Sequence, residues 1–493
     1  MGIIQKQSIS GTIYSYIGVI LGFVITVVLY TRILTTEEIG LLRVIVSYAT
    51  LFAQFAGLGF SAVSVKMFPH FRDPEKKHHG VLGLSLIVGL VGFSIALIVY
   101  LLLSPLIIDQ SQDKSALFNE YFYYVIPLIL FTLLFNVFDT YYRVLYNAVK
   151  GIFYKEIIQR GFVILVILLY YFQLIDFNWL VILYILAMIT PSILLFGSLI
   201  RSKQLHLRPD FTFISKGLRN EMISVGFFGI LASFSGVLVL NIDILMINDM
   251  LGLSAAGIYT VTFYFGTLIL VPLRTMGKIS SVVVADAWKA NDLITIKNIY
   301  KKSSISLSVI GILLFLGIWG NIDNIFHMIK PDFLPGKWVI FFIGIANLLD
   351  ISLGVNPHII VNSKYYRFLS YFLFGFAIVL VVSNLLLIPV YGIVGAAIAS
   401  LISKFIYNLV KYLFLFSKFK LQPFDYKFLI LIVIGLSAYW ISTLIPSFSN
   451  YIVDIIIRSS AITALFMVPV YAFSISDDIN QRINHFLQNL MLH

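Results

Sequence analysis

The sequence predicts an all-α polytopic membrane protein of about fourteen transmembrane helices, and three observations predict it. Of the 493 residues 60% are hydrophobic and only 12% charged, with a mean hydropathy of +0.97. A soluble domain has about a quarter of its residues charged, so lipid is the solvent for most of these side chains. The apolar residues also fall into runs of about 20, the length that a bilayer requires. Finally, most of the 34 Lys and Arg gather in alternate segments between those runs, the pattern of the positive-inside rule.

The spans are placed at 10–33, 38–65, 80–104, 116–140, 153–172, 178–200, 220–246, 255–276, 303–321, 337–360, 366–388, 392–412, 427–446 and 451–473. The run from Ile9 to Ile33 is too long for a signal-peptide core and is kept as the first helix. The basic side holds Lys6, Lys66 to Lys77, Arg143 to Arg160, Arg201 to Arg219, Arg274 to Lys302, Lys364 with Arg367, Lys411 to Lys427, and Arg482. That side is cytoplasmic and carries both termini of a multi-pass protein. No loop is long enough for a folded domain. Residues 277–302 read either as the end of helix 8 followed by a short amphipathic helix at the interface or as a solvated linker.

Several chemistries are excluded. Cysteine is absent, so disulfides and thiolate chemistry are too. No G-x-x-x-x-G-K-[ST] loop is present to hold ATP phosphates. Gly57-Leu-Gly59 has no strand before it and reads as small residues for helix packing. His70, His78 and His79 lie in one loop with Asp73 and Glu75, which reads as solvated rather than as a metal site. No metal, no cofactor and no enzymatic activity are expected. The net charge of +11 sits in short loops and not in an extended patch, so no nucleic acid is expected either.

The segment Leu34-Thr-Thr-Glu-Glu-Ile-Gly40 opens helix 2, and Leu251-Gly-Leu-Ser-Ala-Ala-Gly257 opens helix 8. Aligned on one another, they suggest two parallel repeats. Residues 1–217 are then the first lobe (helices 1–6), 218–414 the second (helices 7–12), and 415–493 helices 13 and 14 with a tail.

Ionisable residues inside spans are unfavourable and point to function. Arg43 and Arg274 lie on corresponding helices of the two repeats and suit a multivalent anion such as a pyrophosphate, through the forked guanidinium; structural pairing and snorkelling are the alternatives. Arg143 joins them as a third candidate, although its i,i+4 spacing from Asp139 predicts an ion pair. Asp243, Asp350, Lys404 and Arg458 are the remaining intramembrane charges, and Asn384 on helix 11 is a polar neighbour. A lone charge in the bilayer costs several kcal/mol, so each needs a partner: an Asp243–Lys404 bridge is one reading, and Lys404 facing another helix or snorkelling outward is the other.

Three stretches carry a family resemblance: Tyr30-Thr-Arg-Ile-Leu-Thr-Thr-Glu-Glu-Ile-Gly40, Gly57-Leu-Gly59 running to Pro69, and Asn384-Leu-Leu-Leu-Ile-Pro-Val-Tyr-Gly-Ile-Val-Gly-Ala-Ala-Ile-Ala-Ser400. In these the chain resembles the polysaccharide-transporter branch of the multidrug/oligosaccharidyl-lipid/polysaccharide flippase superfamily, which includes O-antigen flippases of lipopolysaccharide biosynthesis. The resemblance implies a V-shaped two-lobed bundle. It also implies transfer of an undecaprenyl-pyrophosphate-linked oligosaccharide to the outer leaflet by alternating access, by a monomer that works beside glycan polymerases and glycosyltransferases. A multidrug extruder would favour cleft acids over unpaired arginines, and a membrane-embedded glycan polymerase or ligase would want a sizeable outer loop.

Overall fold

The computed structural model describes residues 3–111 and 115–491. They form helices throughout, with no strand among them, and divide into two compact units, 1–260 and 261–493. Among the described residues, twelve helices are long and apolar enough to cross a membrane. The expectation was fourteen, and two places account for the difference. Residues 149–171 run as one helix with a π-helical turn at Tyr154–Ile158, but are not among the twelve. Tyr366–Phe419, 54 residues long and counted once, breaks at Gly392 (φ 59°, ψ −139°). Only glycine takes that backbone without strain.

The first unit contains α1 (Ile3–Phe23), α2 (Thr36–Ala56), α3 (Phe60–Phe71), α4 (Val81–Leu102), α5 (Val125–Val144), α6 (Gln159–Tyr171), α7 (Phe177–Arg201) and α8 (Lys216–Leu251), together with the start of α9 (Leu253–Thr267). A capping box opens α2: the Thr35 hydroxyl accepts from the Glu38 amide at 3.2 Å, and the Glu38 carboxylate accepts from the Thr35 amide at 2.7 Å. That satisfies donors otherwise orphaned at a helix start. The expected span 38–65 is broken, because Leu58 and Gly59 turn left-handed between α2 and α3. A Cβ on Gly59 would lie 2.2 Å from the Gly226 carbonyl oxygen, so this glycine serves both a turn and a close helix approach. The helix α8 packs on α2 and α3. The boundary between the compact units accordingly falls at 260/261, whereas the repeat reading put a lobe boundary at 217/218.

The second unit contains the rest of α9, α10 (Val271–Lys289), α11 (Leu293–Trp319), α12 (Lys337–Ser352), α13 (Tyr366–Phe419), α14 (Tyr426–Thr443), α15 (Tyr451–Ala472) and α16 (Asp477–Met491). No separate interfacial helix follows α10. Asp292 caps a single long helix, α11, its carboxylate accepting from the Thr295 amide at 3.0 Å and hydroxyl at 2.6 Å. Pro272 and Pro357 start helices instead of kinking them, since the first helical turn needs no donor from them. The core of this unit joins Leu307, Ile351, Leu431 and Phe466.

Candidate functional site

In the first unit α2 carries Arg43 inward among polar groups. Its guanidinium donates to the Asn241 side-chain oxygen on α8 at 3.4 Å. It lies near the buried phenols of Tyr30 and Tyr184, with no carboxylate in ion-pair distance among the described residues. The Asp139–Arg143 pair forms at 3.1 Å along α5, and Arg143 also donates to Thr140 at 2.9 Å. One helical turn sets that spacing, which is why the sequence already contained it. Arg143 is half-exposed and its charge is engaged. The side chain of Arg274 lies outside the described residues.

The second unit holds the densest group of intramembrane charges. Asp350 on α12 pairs with the Lys404 ammonium at 3.1 Å and accepts from the Asn408 amide at 3.0 Å. Lys404 also donates to Asn347, whose own amide donates to the Gly266 carbonyl at 2.8 Å. Lys411, only 2% exposed, makes no hydrogen bond or ion pair among the described residues, and its ammonium sits 4.1 Å from the Tyr407 ring centroid. Lys404, Asn408 and Lys411 are spaced i, i+4, i+7, one face of α13, and that face packs on α12. Two ammonium groups therefore face one carboxylate. A cavity of ≈520 Å³ reaches Asp350, lined also by Leu273, Ser281 and His358.

Of the two readings, Lys404 follows the one in which it faces another helix, and not the Asp243–Lys404 bridge. Lys404 finds its carboxylate at Asp350, because the second half of α13 packs along α12. Asp243, 5% exposed, accepts from the Tyr259 hydroxyl at 2.8 Å. Asn384 is fully buried in the first half of α13 and is not a partner of Lys404. The sequence reading missed Asn347 and Asn408 and placed Lys411 in a loop. The i, i+4, i+7 spacing from Lys404 was the signal that could have found them.

Two histidines of the loop, His78 and His79, are buried, while His70, Glu75, Lys76 and Lys77 are exposed. His79 Nδ1 lies 3.1 Å from the Asp210 carboxylate, and the His79 ring stacks on Phe213 at 3.7 Å. Hydrogen bonds from Thr212 and His79 hold the Asp210 carboxyl down to about 2. No cluster of three metal-ligating side chains occurs among the described residues.

The family described as "Polysaccharide biosynthesis protein" matches residues 4–284. Among solved structures, the chain is similar to one titled "Lipid II flippase MurJ, inward closed conformation", at 16% identity and a TM-score of 0.73, covering 94% of this chain and 98% of that one. It is also similar to an inward-facing multidrug resistance MATE family transporter of the MOP superfamily, at 14% identity and a TM-score of 0.62, covering 82% and 93%. A third is a MOP superfamily transporter from Pyrococcus furiosus, at 14% identity and a TM-score of 0.53, covering 84% and 94%. These identities carry the fold alone. A search of curated proteins finds no match.

Proposed function

We propose, from the premise that the chain belongs to the polysaccharide biosynthesis protein family, that it is a flippase for an undecaprenyl-pyrophosphate-linked oligosaccharide. The cargo is an O-antigen, capsule or exopolysaccharide unit, moved from the cytoplasmic to the outer leaflet of the inner membrane by alternating access. Both termini are cytoplasmic, and the protein acts as a monomer beside glycan polymerases and glycosyltransferases.

The observation that carries this reading is Arg43, an arginine inside a span whose described partner is an amide and not a carboxylate. A guanidinium so placed keeps its charge available for a bidentate grip on a phosphate. Arg274 is proposed as its counterpart in the second repeat, and Arg143 as an auxiliary cation at the end of α5. The alternative of a cation extruder is disfavoured by Asp350, whose carboxylate is already held by Lys404.

The test is glycan export in cells. Arg43→Ala and Arg274→Ala should each stop it at normal protein level, and Lys at either position should rescue only in part because the fork is lost. Full export by the double alanine variant would end this reading.

A further inference from the structure

The second unit contains a cavity of ≈730 Å³ between the end of α11 and the α14–α15 connection. Its volume lies within the range of small-molecule pockets, about 300–1,000 Å³. It shares no lining residue with the Asp350 cavity.

Its base is a saturated ion pair. The Arg458 guanidinium bonds both oxygens of Asp454, at 3.1 and 3.2 Å, and donates to the carbonyls of Ser442 at 3.1 Å and Ile445 at 3.3 Å. Asp454 also accepts from the Asn324 amide and from the Phe448 amide at 3.2 Å. Both charges are therefore spent on fixing the 444–450 loop, and neither is left for an ionic ligand.

Apart from the Asp323 carboxylate, which Lys337 holds at 2.7 Å, and His327, what remains along the walls is neutral and polar, beside aromatic rings. Asn321 is 4% exposed and donates to Gly317 at 2.8 Å and Ser459 at 3.0 Å, while its side-chain oxygen accepts no hydrogen bond. Tyr439 and Tyr451 line the same space, and their hydroxyls make no hydrogen bond among the described residues. Trp319 is fixed there by Trp338 and Phe341, with ring centroids at 5.6 and 4.8 Å. An alkyl chain would leave these polar groups unpaired, a cost of about 1–3 kcal/mol for each. An anion would meet the carboxylates of Asp323 and Asp454 and find no free cation.

We propose that this cavity is a binding site for a neutral pyranose sugar. A sugar ring has an apolar face for Trp319 and a rim of hydroxyls that both donate to and accept from amides and phenols. Under the flippase reading the α14–α15 connection is on the outer side, so the sugar belongs to the delivered glycan or its product. The proposal rests on that reading only for the sugar's source.

The experiment is saturation-transfer NMR on the full chain in detergent, with glucose, N-acetylglucosamine and galacturonate as probes. The neutral sugars should give transfer and galacturonate several-fold less. Trp319→Ala and Asn321→Leu should each reduce it at least about fivefold, and Trp319→Phe should keep most of it. Hydroxyl-radical footprinting of the unmutated protein needs no variant to fold, and neutral sugar should protect Tyr439 and Tyr451. No transfer from either neutral sugar, no protection, or equal transfer in the folded Ala and Leu variants overturns the proposal. Sugar binding by a protein that exports no glycan would sink the flippase reading and leave this site standing; export without sugar binding would do the reverse.

Discussion

Gly40 and Gly257 meet reciprocally: a Cβ on Gly40 would lie 1.9 Å from the Leu253 carbonyl oxygen, and one on Gly257 would lie 1.8 Å from that of Thr36. The register that sets Leu34 on Leu251 also sets Thr36 on Leu253 and Gly40 on Gly257. Each of the two segments thus makes the same contact with the other, as across a two-fold axis. Backbones come this close only where side chains are absent, and the Thr36 and Ser254 hydroxyls, 2.7 Å apart, complete the contact.

The first prediction concerns that contact. The chain has no cysteine, so Thr36→Cys with Ser254→Cys is a clean pair for oxidative cross-linking. A disulfide should form readily on mild oxidation. Adding Gly40→Val or Gly257→Val should abolish it, because the helix starts can no longer approach. Undiminished cross-linking in either valine variant would show that the approach is not made in the membrane.

The second concerns the Asp350 group. Breaking a buried pair from one side costs about 3–5 kcal/mol; the Asp350–Lys404 pair is only partly buried, so less is expected, and the two sides are not equal. Asp350→Asn strands Lys404 and Lys411 together, whereas Lys404→Gln leaves Asp350 with Asn408 and within electrostatic reach of Lys411. Thermal melting in detergent should therefore rank Asp350→Asn as the more damaging, and adding Lys411→Met to it should recover part of the loss. The opposite ranking would mean that Lys411 has another anion.

The third concerns the His79–Asp210 clasp. The folded carboxyl is held at about 2, below the ordinary value of about 3.9, so its contribution is present above the ordinary value. It disappears as pH falls through about 2. Melting temperature should gain no step from this group between pH 7 and 4, then fall below pH 4. Asp210→Asn should lower the melting temperature at pH 7 and flatten the acid limb; an unchanged acid limb would place the titrating group elsewhere.

The fourth concerns topology under the flippase reading. Reporter fusions at Asp109, Asp176 and Lys330 should score external, and fusions at Lys76, Lys216 and Lys297 internal. One reversed reporter would remove a helix from the scheme.

Composition and period alone determined that this chain is helical and membrane-embedded, because a 20-residue apolar run has few other stable forms in lipid. They also determined the Asp139–Arg143 pair, whose partners lie within one helical turn. Only the tertiary structure decided that Lys404 belongs to Asp350 and not Asp243, and that Lys411 is buried beside Tyr407. It also decided that His79 closes on Asp210 and that Arg458 ties down a loop. Such partners sit on different helices or on separate loops, and their meeting depends on how elements slide and rotate against one another. Periodicity within one helix carries no information about that.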